Sequence, residues 1–181
     1  MKGMVFVELM DFIEDQFGFD VADNIIENAD LSTGGAFTSV GTYPASDAVA
    51  IVVGLHEQTQ LPIPDLLKTF GRHLFGQLAG AHPEFIEGVT SPFALLRQIE
   101  NHIHVEVRKL YPDAELPTFQ DDGSDRDDEM VLTYYSARGL GDLCEGLILG
   151  CFDHFDASVE IRREALDVEQ CEAVRFHLRA A

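Results

Sequence analysis

Two groups of side chains in this chain could do chemistry. The first is a pair of histidines, His102 and His104, inside the stretch from Ser91 to Pro117. Apolar residues at Leu96, Ile99, Ile103, Val107 and Leu110 recur there at three- and four-residue steps, which predicts one long helix with a buried face. The histidines lie two apart and flank that face about equally, so helical spacing does not choose between them. A neutral imidazole nitrogen beside a buried stripe can ligate a metal or haem iron. The plainer alternative is a partly buried histidine bonded to a carbonyl. The second group is Tyr134, Ser136 and Arg138, on and just past a predicted strand over Met130–Ser136. Alternation along a strand places the three on one face, each about 7 Å from the next. A phenol, a hydroxyl and a guanidinium in a row suit two carboxylates on one rigid ligand, with the arginine gripping one of them bidentately. The two propionates on one edge of a haem form such a pair. Ordinary polar residues on a half-exposed strand are the alternative.

The elements that must position these groups are mostly helical at first and mostly extended later. Residues 1–30 carry Val5, Leu9, Phe12 and Ile13, then Val21, Ile25 and Ile26, at helical spacing, with Asp20 and Asp23 as cap or first-turn residues. Ser32-Thr33-Gly34-Gly35 is turn chemistry. The apolar run Ala48–Leu55 is read as a buried helix. Pro62 and Pro64 open another helix, striped by Leu66, Leu67, Phe70, Leu74, Phe75 and Leu78 and ended by Ala81-His82-Pro83. Beyond Pro117 the period changes to strand. The acidic run Asp121–Glu129 lacks the glycine and glutamate placement of a calcium loop and reads as a solvated hairpin tip. Gly139–Phe155 returns to helix, and Val159–Ile161, a turn near Asp167 and alternating Val174, Phe176 and Leu178 form a last hairpin. Helices first and antiparallel strands late predict an α+β domain.

Composition narrows the function. With 181 residues, a single domain over 1–181 is expected. A net charge of −20 repels phosphate backbones and anionic lipid, which argues against nucleic acid and membrane as partners. No apolar run approaches the ~20 residues of a bilayer span. Met1-Lys2-Gly3-Met4 opens like a signal peptide, but Glu8 and Asp11 interrupt it, so a soluble cytoplasmic protein is expected. Three cysteines, Cys144, Cys151 and Cys171, argue for reduced thiols over a disulfide framework.

The order of His104, Tyr111-Pro112, Pro117 and Tyr134-x-Ser-x-Arg138 resembles the H-NOX (haem–nitric oxide/oxygen binding) domains, bacterial relatives of the sensor domain of soluble guanylate cyclase. The likeness runs over essentially the whole chain, including Met1-Lys2-Gly3, Gly34–Thr38 and Gly71-Arg72. It implies haem b (iron protoporphyrin IX) held between a helical subdomain of about 1–60 and a haem-ligating subdomain with the sheet, about 61–181. In the family the proximal ligand stands thirteen residues before the proline that precedes the sheet, which selects His104 as the iron ligand. The resemblance assigns Tyr134, Ser136 and Arg138 to the propionates and gives Pro117 the role of distorting the haem. Oxygen-binding members carry a tyrosine five residues after the motif arginine. Here that residue is Leu143, and Val5, Leu9, Leu74 and Leu78 complete an expected distal pocket without a donor. The implied ligands are nitric oxide, with carbon monoxide, and not oxygen.

The resemblance further implies a stand-alone sensor with no catalytic activity. Nitric oxide would weaken the iron–His104 bond, and the signal would pass to a separate histidine kinase or cyclic-di-GMP cyclase or phosphodiesterase. Rival readings are a peroxidase-type haem enzyme, which needs a distal acid–base pair, and a haem-free acidic interaction domain. Some members carry zinc near the C-terminal sheet; here Cys171 stands in that region, but Arg162 and Ala165 take the places of further ligands, so zinc is unsupported. Cys144 and Cys151 read as buried inert thiols. The Gly139–Gly146 run lacks dinucleotide-loop spacing and reads as a helix entry.

Overall fold

The computed structural model describes residues 1–124, 126 and 128–181; Asp125 and Asp127 of the expected acidic hairpin tip lie outside the described residues. Helices α1 (Gly3–Phe17), α2 (Phe19–Asn28), α3 (Ala45–Thr59) and α4 (Ile63–Ala81) come first. Their apolar stripes meet in one core, where Phe6, Ile13, Ile25, Ile51 and Leu55 are all but inaccessible to solvent. Asp47 is buried at the edge of this core, and the Ser32 hydroxyl and amide both donate to its carboxylate, which answers the burial of its charge.

The second half contains α5 (Pro92–Gln98), α6 (His104–Leu110) and α7 (Gly141–His154) with strands β1 (Thr118–Asp121), β2 (Glu129–Ser136), β3 (Val159–Leu166) and β4 (Glu172–Ala180). The four strands form one antiparallel sheet in the order β1-β2-β4-β3. Met130, Leu132, Phe152, Phe176 and Leu178 build a second core between the sheet, α5 and α7. The fold class is therefore the α+β arrangement expected from the sequence: helices at the N-terminal end, an antiparallel sheet at the C-terminal end.

Helices α4 and α7 join the halves. Leu66, Phe70 and Leu74 of α4 belong to the N-terminal core, although the sequence boundary near residue 60 groups α4 with the sheet. The helices cross at glycines: a Cβ on Gly71 would strike the Leu143 carbonyl oxygen, and one on Gly146 the Lys68 carbonyl oxygen. Gly146, read from sequence as part of a helix entry, thus has its role inside α7, where it lets two backbones touch. Around the seam, Lys68 pairs with Glu145 at 3.0 Å and Arg72 with Asp153.

One element differs from expectation. The stretch from Pro92 to Leu110 is not one continuous α-helix; a π-helical turn at Ile99–Ile103 separates α5 from α6. The wider turn shifts the phase of everything after it. Leu110, expected on the buried face, is consequently 58 % exposed. No described helix is long and apolar enough to cross a membrane.

Candidate functional site

Between the two cores lies a cavity of about 730 Å³, bounded by α1, α4, α5, α6 and α7 and the segment leading into β1. Its size falls within the range of roughly 300–1,000 Å³ usual for small-molecule and cofactor sites. The π-helical turn decides between the two histidines. His102 is exposed, whereas His104, the first residue of α6, is 8 % exposed and lines the cavity. Burial lowers the His104 pKa, and Glu100 draws it only partly back. The imidazole is therefore neutral near pH 7, the form in which it can offer a lone pair to a metal.

The ring is fixed from two sides. Its Nδ1 lies 3.2 Å from Glu100 Oε2, and the same oxygen accepts the Phe119 amide at 3.1 Å. Burial pushes the Glu100 carboxyl up, but the Phe119 amide and His104 outweigh it and hold the group below its ordinary value. With the carboxylate ionised, Nδ1 carries the proton and Nε2 keeps its lone pair; among the described residues nothing hydrogen-bonds Nε2. The Phe119 ring packs between His104 (5.7 Å between centroids) and Tyr134 (5.6 Å), linking the histidine to the second group of side chains.

Tyr134, Ser136 and Arg138 all line this cavity. Tyr134 and Ser136 reach it from β2, on one face as alternation requires, and Arg138 comes from the turn after the strand ends. Burial pushes the Tyr134 phenol up to about 12, so it is a hydrogen-bond donor at any ordinary pH. Arg138 is pre-aimed: its backbone amide donates to Ser136 Oγ at 3.1 Å, and its guanidinium donates to the Glu115 carbonyl at 2.8 Å and carboxylate at 2.6 Å. An incoming carboxylate would exchange with the exposed Glu115 for this fork. Pro117 lies in the wall between Glu115 and Phe119.

Val5, Leu74, Leu78 and Leu143 also line the cavity, joined by Leu147, which sequence reasoning left out. Leu9 does not reach it. One turn beyond Val5, at 2 % exposure, Leu9 is packed into the N-terminal core, because the cavity meets only the first turn of α1. Polar lining groups are largely engaged elsewhere: Thr42 and Lys2 hold Asp113, and the Tyr43 hydroxyl accepts the Thr38 amide at 2.9 Å. Glu100 was legible at four residues before His104, one helical turn away, but periodicity counts apolar positions and passes over it.

Cys144 lines the cavity and Cys151 lies in the second core, both as free thiols. Burial raises both pKa values, that of Cys151 to about 12, so neither is a nucleophile near neutrality. Cys171 is half-buried. Among the described residues no three His, Cys, Asp or Glu side chains converge as a metal site.

An apolar slot with the neutral His104 in its wall and the row of Tyr134, Ser136 and Arg138 at another edge has the chemistry of a haem pocket. A family model described as "Haem-NO-binding" matches residues 2–163, and the chain belongs to that family, the H-NOX haem-based gas-sensing domains. An unliganded Fe(II) H-NOX protein from K. algicida is 37% identical with a TM-score of 0.93, over 100% of this chain and 97% of that one. An H-NOX from Shewanella woodyi, solved in the Fe(II)CO state with IWP-051 bound, is 39% identical with a TM-score of 0.84, over 100% and 95%. An H-NOX from S. oneidensis in the Fe(II)NO state is 27% identical with a TM-score of 0.90, over 100% and 99%. The comparison with curated proteins gives no match. Haem is the family's cofactor, and a His104 ring that lines a largely apolar cavity of suitable volume, with no hydrogen bond to Nε2 among the described residues, fits that group.

Proposed function

We propose that this protein senses nitric oxide at ferrous haem held by His104 and signals to a separate protein. The observation that carries the reading is the pairing of the His104 ring with a cavity wall of Val5, Leu74, Leu78, Leu143 and Leu147 that contains no hydrogen-bond donor. When bound, ferrous haem would supply an iron that takes diatomic gases, with nitric oxide expected to loosen its hold on His104. The chain's own groups set everything else. His104 Nε2 offers the axial lone pair, and Glu100 keeps the other nitrogen protonated. Tyr134, Ser136 and Arg138 anchor the propionates, with Glu115 displaced from the arginine. Pro117, in the cavity wall, would press on the macrocycle. The leucine-lined side excludes water and withholds the donor that bound dioxygen requires, so nitric oxide and carbon monoxide are favoured over oxygen. A peroxidase needs an acid–base pair where these leucines stand.

Release of the His104 ring would free α6, which is joined to the sheet through Glu100 and Phe119, and the two cores would then shift about the α4–α7 seam. The partner receiving that shift would be a histidine kinase or a cyclic-di-GMP cyclase or phosphodiesterase. The test is His104→Ala protein loaded with haem. Loss of the axial-histidine spectrum, restored by added imidazole, is expected. Unchanged axial ligation in the variant would overturn the assignment.

A further inference from the structure

The Glu100 carboxylate is held more firmly than a surface glutamate one turn from a histidine needs to be. Its Oε2 receives the Phe119 amide at 3.1 Å and faces His104 Nδ1 at 3.2 Å, and its Oε1 lies 3.5 Å from the Arg108 guanidinium. These contacts come from α6 and from β1, so the carboxylate cannot turn away without losing bonds to two elements. The π-helical turn of Ile99–Ile103 contains Glu100 and ends immediately before His104. Carboxylate and ring stand one helical turn apart on the same side, and His102 lies exposed.

We infer that Glu100 is the positioning residue that fixes the His104 tautomer, strengthens its hold on iron and ties the ring to β1 beside Pro117. The inference rests on the reading of His104 as the haem ligand. A ligating histidine that donates its second N–H to a carboxylate is oriented and made more basic at the ligating nitrogen. Arg108 at the far oxygen draws some of that charge away, but at 3.5 Å its contact is the longest of the three. The same carboxylate also sets the threshold for signalling. A stronger iron–histidine bond resists the rupture that nitric oxide promotes, so Glu100 holds the domain in its resting state. Because the Phe119 amide shares Oε2 with the ring, departure of the ring alters the bond that positions the start of β1, two residues past Pro117.

The test compares Glu100→Gln and Glu100→Ala with the parent, all haem-loaded, ferrous and free of added ligand. Glu100→Gln keeps the shape and an acceptor but removes the charge, and it remains informative if the alanine variant holds haem poorly. Resonance Raman should show the iron–histidine stretch moving to lower frequency in both variants, further in the alanine protein. The reduction potential should become more positive, haem should dissociate roughly ten-fold faster or more, and the five-coordinate share of the nitric oxide complex should rise. An iron–histidine band that is present in the parent and unmoved in both variants would overturn the role of Glu100 and leave His104 as the ligand. A parent with no such band would overturn the His104 reading, and the role of Glu100 with it.

Discussion

Replacing Gly146 with alanine tests whether the α4–α7 seam sets the shape of the cavity. A Cβ at Gly146 would strike the Lys68 carbonyl oxygen and stand 2.9 Å from Lys68 C and Cα, whereas ordinary contact begins at 3.4 Å. Every one of these neighbours is backbone, so no side chain can swing aside and the helices must part. Overpacking of this kind costs about 1–3 kcal/mol. The gain in helix propensity from Gly to Ala returns at most about 1 kcal/mol. The net loss is therefore on the order of 1–2 kcal/mol, or roughly a 2–8 °C fall in Tm for a domain of this size. Gly76 is the control. It lies on the exposed side of the same α4, a Cβ there would meet nothing within 4 Å, and Gly76→Ala should stabilise by about 0.5–1 kcal/mol. Denaturant titration followed by circular dichroism measures both. The reasoning fails if Gly146→Ala changes stability in the same direction as Gly76→Ala. Because Leu143 and Leu147 flank Gly146, the destabilised variant should also admit bulkier ligands to the haem iron.

Leu143→Tyr should introduce a donor into the distal wall; a hydrogen bond to partly charged dioxygen is worth about 1.5–3 kcal/mol, or on the order of ten- to a hundred-fold in oxygen affinity. Oxygen titration of the ferrous variant checks it, and parent-like behaviour in air would contradict the placement of Leu143. The Tyr134 phenol is held at about 12 by burial, against 10.0 ordinarily. Below pH 10 it is protonated in both folded and unfolded chains and contributes no pH dependence. Above that, the unfolded phenol ionises first, so stability falls as pH rises, by roughly 2–3 kcal/mol at pH 12. Haem-free Tyr134→Phe should lack this component, and a parent-to-variant difference in denaturation midpoint that stays constant from pH 9 to 11.5 would contradict it.

The order of elements was legible because each carries a clear period: the stripe of Leu66, Phe70 and Leu74 for α4, and the alternation of Val174, Phe176 and Leu178 for β4. The π-helical turn was not, since one extra residue in a turn leaves the local spacing of Ile99 and Ile103 looking helical while re-phasing Leu110. Periodicity left His102 and His104 open because both flank the apolar face about equally, and only the family resemblance chose between them. Leu9 shows a similar limit. Helical phase says which way a residue faces, but not that the cavity ends one turn short of it. The backbone contact at Gly146 was hidden because a glycine marks both loops and close approaches, and sequence alone does not separate them. Glu100 depends on a hydrogen bond from Phe119, nineteen residues away, which no local pattern contains.

A ferrous haem held by His104 would face a wall of Val5, Leu74, Leu78, Leu143 and Leu147, whose side chains offer no donor. The absorption spectrum of the reduced protein, taken in argon, then air, then nitric oxide, tests it most directly. A ferrous haem spectrum unchanged by air and shifted by nitric oxide is the predicted result. A stable oxygen complex in air would contradict the account of the pocket, and a protein that takes up no haem would contradict the account as a whole.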